Sequence, residues 1–393
     1  MRPTTLCFTV FHYPATVTDP DAYLERVPIY RDLPCALTQC GYTVHVVHLF
    51  PTAHTFNRDG VHYHFVRSGR WARRFAGSIA QATGRPSIPY EVAPPGIQTI
   101  RRLNPDLIHF HGTNLYLNHA LLLATLGRKR PPFVVHYHGG FPSPNRLARR
   151  VQRFNLRRTA RFLFTTKEHA RPFIDAGLIE QPQRVVAFME TSSAFRMHTR
   201  AEARRHTGMT GDPVCLWAGR LDPLKDPMTA LRGFEQICTA RPKAHLYLYY
   251  LTDDLLPDLQ QYVAARPQLK QRVHFRGRAP YERMEMIYNS ADFLLQASRR
   301  EFSGCAVLEA MACGVIPAVT DIPSFRAMTD AGHHGILFPP GDAGALARGI
   351  LTIPLEMIAA RSEQVRAWFE QAFSFPALAR HLDALYGEVL KDG

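Results

Sequence analysis

Short runs rich in Val, Phe, Tyr and Leu recur along the whole chain, and between them apolar residues fall at the spacing of one helix face. That alternation predicts repeated strand, helix, strand units and therefore parallel sheets. Strands are expected at 6–11, 44–50, 61–66, 107–110, 133–138, 162–165 and 185–188. A polar stretch at 198–212 interrupts the pattern, which then resumes with strands at 214–218, 245–251, 273–276, 293–296 and 315–319. Two α/β sheets in tandem are predicted: an N-terminal domain over 1–197, a second over 198–375, and a closing helix at 376–393 that packs back on the first. Such sheets bind ligands at the carboxyl ends of their strands, so two facing one another place a site in the cleft between them. The sequence contains neither a repeat of solenoid length nor a low-complexity tract.

Composition narrows this picture. The chain has 393 residues, two to three times a typical domain, and its 46% hydrophobic and 20% charged content is that of a globular protein with sizeable cores. The formal net charge of +14 is unevenly spread: residues 1–200 hold 26 basic and 11 acidic side chains, residues 201–393 hold 21 and 22. An N-terminal half at +15 against −1 for the remainder predicts that the first domain meets something anionic. Seven cysteines without a C-x-x-C pair predict reduced thiols in a cytoplasmic protein. The longest apolar stretch, around 119–126, is far short of the ~20 residues of a membrane-spanning helix, and no signal-peptide pattern is present.

The richest chemistry lies in R-R-E-F-S-G-C-A-V-L-E-A-M-A-C-G-V-I-P-A-V-T at 299–320. A strand ends before it, Glu301 lies in the loop, Ser303 and Gly304 open a helix, and Gly314 can close it. The start of that helix presents N–H groups and a positive dipole end to a phosphate, and glycine allows close approach. Glu301 and Glu309 can both face one ligand as acceptors for sugar or ribose hydroxyls. The competing reading makes Glu301 a helix cap and Glu309 a solvated residue. A second segment, W-A-G-R-L-D-P-L-K-D-P at 217–227, places Arg220 and Lys225 after the first strand of the second domain, where a guanidinium and an ammonium together neutralise a diphosphate.

These segments resemble glycosyltransferase family 4, the retaining, nucleotide-sugar-dependent enzymes with two Rossmann-like domains facing across a cleft (the GT-B fold). The resemblance rests on G-R-L-D-P-L-K-D-P at 219–227, the E-x7-E pair Glu301 and Glu309, and G-I-L-F-P-P-G-D at 335–342. It implies that Arg220 and Lys225 bind the donor diphosphate, that Glu301 holds donor-sugar hydroxyls and that Glu309 holds the ribose. It further implies that backbone near Phe302, Ser303, Gly304, Cys305 and Ala306 meets the phosphates and sugar, and that Arg276 and Arg278 flank the base. H-Y-H-G-G at 136–140 resembles the family's strand-end histidine before glycine and makes His138 the residue beside the reacting carbon. Catalysis then falls to His138, Glu301, Arg220 and Lys225, with no metal and no cofactor beyond the donor, expected to be a UDP-sugar. The implied reaction is front-face attack in which a donor phosphate oxygen takes the acceptor's proton. Two segments depart from the family: the loop at 11–20, F-H-Y-P-A-T-V-T-D-P, has no glycine, and M-E-T-S-S-A-F at 189–195 replaces the usual N-G-V-D.

Two further features suggest rival functions. Histidines pair at 45/48, 62/64, 109/111 and 136/138, as a metal-dependent hydrolase would require, although no carboxylate completes a set at recognisable spacing. The segment 146–161 carries seven arginines and no acidic residue. At helical spacing Leu147, Val151 and Phe154 share one face, expected to pack on the sheet, with Arg146, Arg149, Arg150, Arg153 and Arg157 on the other. With Arg70, Arg73, Arg74, Arg128, Lys129 and Arg130 they make a cationic half suited to an anionic membrane surface or to an anionic or lipid-linked acceptor. A non-enzymatic polyanion binder is the second rival; nucleic acid is not the expected partner. Neither a nicotinamide enzyme nor a P-loop enzyme is expected, because no G-x-G-x-x-G follows a strand and G-x-x-x-x-G-K is absent.

Overall fold

The computed structural model describes residues 4–11, 17–67, 92–127 and 130–392, together with positions 69, 74 and 78. Arg70, Arg73, Arg128, Lys129 and half of the glycine-free loop, 12–16, therefore lie outside the described residues. The chain divides into two compact units, Met1–Glu190 with Phe375–Gly393, and Thr191–Ser374.

The first unit is built on eight strands: β1 (Thr5–Val10), β2 (Thr43–Leu49), β3 (His54–Arg58), β4 (Val61–Val66), β5 (Leu107–His111), β6 (Phe133–His136), β7 (Thr159–Phe164) and β8 (Val185–Ala187). They lie in the order β3-β4-β2-β1-β5-β6-β7-β8. All neighbours are parallel except β3, which runs antiparallel against β4. Every residue of β5 and β6 is buried, as expected of parallel strands covered on both faces. The closing helix, Phe375–Lys391, packs on the Asp32–Gln39 helix and is tied to it by Tyr42, whose hydroxyl donates to Asp383 at 2.7 Å.

The second unit contains β9 (Val214–Gly219), β10 (His245–Tyr250), β11 (Val273–Gly277), β12 (Phe293–Gln296), β13 (Ile316–Thr320) and β14 (Ile336–Phe338), ordered β11-β10-β9-β12-β13-β14 and all parallel. The boundary between units falls at Glu190, not at 197, because hydrogen bonds tie 191–198 to the second unit. Ser192 Oγ donates to the Phe373 carbonyl, and the backbone N–H groups of Arg196 and His198 donate to Glu285 and Asn289.

The Arg146–Leu156 helix departs from the expected orientation. Asn145 caps it, its Oδ1 accepting from the N–H groups of Leu147 and Ala148. Its buried residues are Ala148, Gln152, Asn155 and Leu156, whereas Leu147 and Phe154 are 71% and 64% exposed. Polar anchors decide this: Gln152 donates to the Thr113 carbonyl and Asn155 to the Tyr116 carbonyl, at 3.3 and 2.8 Å. Among the described residues, no single helix is long and apolar enough to cross a membrane.

Candidate functional site

In an open parallel sheet the ligand crevice lies where the strand order reverses. In the second unit that point falls between β9 and β12, so the loops after Gly219 and Gln296 border it. After β9, Asp222 organises the turn. Its Oδ1 accepts from the N–H groups of Leu224 and Lys225, both at 3.0 Å, and its Oδ2 lies 3.2 Å from Arg220 Nη2. The turn delivers Lys225, whose Nζ pairs with Glu301 Oε1 from the loop after β12. Ser298 Oγ donates to the same carboxylate oxygen at 2.8 Å, and Ser324 Oγ donates to the Glu301 carbonyl at 2.9 Å. Lys225 and Glu301 are sheltered, at 19% and 13% side-chain exposure, while Arg220 is open at 55%.

Three residues beyond Glu301, Gly304 has φ 57° and precedes the Cys305–Ala312 helix. A Cβ there would lie 2.7 Å from Phe325 Cε1, so both conformation and space require glycine. Neither a side-chain cap nor an acidic first-turn residue offsets the positive end of this helix, and Glu301 is not its cap. Ser303 Oγ and Cys305 Sγ stand 3.8 Å apart at its start, Ala306 is half-buried in its first turn, and Phe302 lies under the Arg300 guanidinium at 5.8 Å. Glu309, in the next turn, accepts from the Tyr288 hydroxyl at 2.7 Å, and burial raises its carboxyl to about 7 against the pull of that bond. Arg276 lies in edge strand β11, its guanidinium 5.3 Å from the Tyr247 ring, and exposed Arg278 follows that strand. β10 separates them from β9, so they stand at the sheet edge, two strands along from β9.

In the first unit the order reverses between β1 and β5. β5 ends on His111; β6 ends on His136, and the chain leaves it through His138 and two positive-φ glycines, Gly139 and Gly140. His138 Nε2 and His111 Nδ1 are 2.6 Å apart, and Glu190 Oε2 stands 3.8 Å from His138 Nδ1. Deeper in, His109 Nε2 and His136 Nδ1 are hydrogen-bonded at 3.0 Å, and His109 Nδ1 bonds the Tyr386 hydroxyl of the closing helix. The 109/111 and 136/138 pairs thus form one cluster, in which nitrogens of His109, His111 and His136 lie within 4.8 Å of one another. Burial drives His136 to about 3 and His109 well below its ordinary value, so both are neutral. Both His109 nitrogens are already engaged, so in this arrangement it offers a metal no lone pair. The 45/48 pair splits across the sheet: His48 bonds Tyr23 and the Leu49 carbonyl, while His45 meets His64 at 3.1 Å.

Sequence reasoning did not single out Asp222, Ser298, Tyr288 or Glu190, and it considered His111 only as half of a metal-binding pair. Asp222 and Ser298 lie within or beside quoted motifs, and their turn-forming chemistry was legible. Glu190, in the M-E-T-S-S-A-F departure, and Tyr288 reach their partners only through the fold.

Residues 212–354 match the family described as "Glycosyl transferases group 1", and residues 28–188 match "Glycosyl transferase 4-like domain". The chain is a GT4-type glycosyltransferase. It is 26% identical over 287 residues to a GDP-mannose:cellobiosyl-diphosphopolyprenol alpha-mannosyltransferase of Xanthomonas campestris, covering 71% of this chain and 72% of the relative. A D-inositol 3-phosphate glycosyltransferase of Thermobispora bispora is 29% identical over 209 residues, spanning 50% of this chain and about half, 48%, of that relative. In fold, the transferase is similar to a sucrose-phosphate synthase from Thermosynechococcus elongatus, with TM-score 0.70, 18% identity and coverage of 99% of this chain and 100% of the other. It is likewise similar to Anabaena HepE in complex with UDP-glucose, with TM-score 0.66, 16% identity and coverage of 98% and 99%. Its fold is GT-B, and neither the hydrolase nor the polyanion-binder reading is favoured by these likenesses.

Proposed function

We propose that the transferase moves a sugar, with retention, from a nucleoside diphosphate sugar to an acceptor hydroxyl. The observation that carries this reading is the Lys225–Glu301 pair at the reversal point of the second sheet, beside the uncapped start of the Cys305–Ala312 helix. The diphosphate takes over Lys225 from Glu301, Arg220 closes on its open side, and the freed carboxylate accepts hydrogen bonds from the sugar's hydroxyls. As the bond from the anomeric carbon to the phosphate oxygen breaks, the electron pair leaves with the diphosphate, whose growing charge these cations and the helix dipole stabilise. The acceptor oxygen bonds to the same face of that carbon, and its proton passes to a donor phosphate oxygen. Glu309 receives the ribose, Arg276 and Arg278 are assigned to the base, and His138 is assigned to the transfer step.

The proposed donor is a UDP-sugar. The Xanthomonas relative's name carries GDP-mannose, which makes guanosine diphosphate the base to test against it. Both relatives are named for acceptors that bear phosphate, and the +15 charge of residues 1–200 suits such an acceptor here. Incubation with a panel of UDP- and GDP-sugars should yield one nucleotide diphosphate, and Lys225→Ala or Arg220→Ala should cut its release about 10²-fold or more. Turnover by both variants at the wild-type rate overturns the assignment of the diphosphate site.

A further inference from the structure

On the Arg146–Leu156 helix, Leu147, Val151 and Phe154 fall within about 60° of one another at 3.6 residues per turn. Leu147 and Phe154 point about 100° away from the buried face of Ala148, Gln152 and Asn155, and Val151 is half-buried at its margin. Leu147 and Phe154 are 71% and 64% exposed, and Phe141, 49% exposed, lies in the loop leading into the helix. Single exposed apolar side chains are ordinary, but a leucine and a phenylalanine two turns apart on one helix stripe form a continuous apolar ridge.

The charges beside the ridge have one sign. Arg153 and Arg157 share Glu180, at 2.8 and 3.1 Å, and hold its carboxyl below the usual carboxylate range. Among the described residues no acidic side chain is paired with Arg146, Arg149, Arg150 or Arg158, and burial first, then the like charge of Arg158, lowers the pKa of Arg130. A soluble polyanion would use the arginines and gain nothing from the ridge. A phospholipid surface uses both, with phosphates on the guanidinium groups and acyl chains around the leucine and phenylalanine.

We propose that this helix docks the transferase on an anionic bilayer, lying in the interface plane with Leu147 and Phe154 inserted and Arg146, Arg149, Arg150 and Arg158 at the headgroups. The proposal goes beyond the donor reading and does not depend on it, since docking requires no nucleotide.

Sedimentation of the full chain with vesicles tests it. Vesicles with about one-third phosphatidylglycerol in phosphatidylcholine should bind at least about tenfold more tightly than phosphatidylcholine alone, with binding falling as salt rises. Leu147→Gln with Phe154→Gln, and separately Arg146→Gln, Arg149→Gln and Arg150→Gln combined, should each lose most of that binding while melting as the wild type does. Phe154→Trp should shift its emission to the blue on anionic vesicles and not on heparin. Failure of the wild type to bind anionic vesicles at low salt overturns the proposal. So does undiminished binding by the Leu147 and Phe154 variant, which would assign the charge to a soluble anion.

Discussion

At the residue scale, each side chain of the proposed donor site is held by a partner that also tunes its chemistry. Lys225 and Glu301 compensate each other, so neither is left as a bare sheltered charge. Glu309 lacks such a counter-ion: desolvation holds its carboxyl near 7 while Tyr288 supplies only a hydrogen bond. A ribose hydroxyl donates more strongly to the ionised carboxylate, so nucleotide affinity should rise as pH increases from about 6 to 8. Glu309→Gln should weaken binding of nucleotide and donor alike and abolish that pH dependence. Calorimetric titration with nucleoside diphosphate across this range checks it, and an unchanged pH profile in the variant removes Glu309 from the site. The stability sign is opposite. With its folded value raised above the unfolded one, Glu309 favours the folded state at low pH and loses that contribution as pH rises from about 4.5 to about 7.

At the element scale, the Cys305–Ala312 helix is placed by the residue before it. Gly304 enters at φ 57° with no room for a Cβ beside Phe325, and it starts the helix in the loop that follows β12. Alanine at 304 combines a left-handed backbone, costing about 1–2 kcal/mol, with a contact that Phe325 must yield to. Gly304→Ala should therefore lower the melting temperature and reduce kcat more than donor affinity, because the helix start moves relative to the leaving phosphate. Thermal melting and steady-state kinetics on one preparation check both parts. Wild-type kcat in a destabilised variant would confine Gly304 to a structural role. The Arg146–Leu156 helix teaches a related lesson: two short polar anchors, Gln152 and Asn155, fixed its rotation against the preference of a leucine and a phenylalanine for burial.

At the scale of the whole molecule, the first unit buries several imidazoles that cannot charge. Burial lowers His136 and His119 to about 3, and lowers His109 well below its ordinary value, against an unfolded value near 6.5. Their folded values are depressed, so the unfolded chain binds more protons below pH 6.5 and stability falls as pH drops from there toward 3. Each histidine that stays neutral in the folded state costs about 1.4 kcal/mol per pH unit in that window. The melting temperature should decline steeply between pH 6 and 4. His119 is stacked between Phe110 and Phe133, at 4.6 and 5.4 Å, so His119→Phe should fold and flatten that decline by one proton's worth. Calorimetry at several pH values measures the slope, and an identical slope in the variant would show that His119 is protonated in the folded state.

The sequence by itself determined the alternation of strands and helices, the division into two α/β sheets and the loops that carry Arg220, Lys225 and Glu301. These are local quantities: fully buried parallel strands appear as continuous apolar runs, and Gly304 marks its turn because few residues adopt its backbone. Two strands escaped, β3 and β14, because edge positions need no such run: β3 (H-T-F-N-R) is polar and β14 has three residues. Only the tertiary structure decided which distant side chains meet. The pairing of His138 with His111 and Glu190, of Glu309 with Tyr288 and of His109 with Tyr386 depends on strand order and helix packing, which a periodic pattern does not encode. It also decided which face of the arginine-rich helix is buried, because the amphipathic pattern allowed either and the choice lay with hydrogen bonds to the backbone at Thr113 and Tyr116.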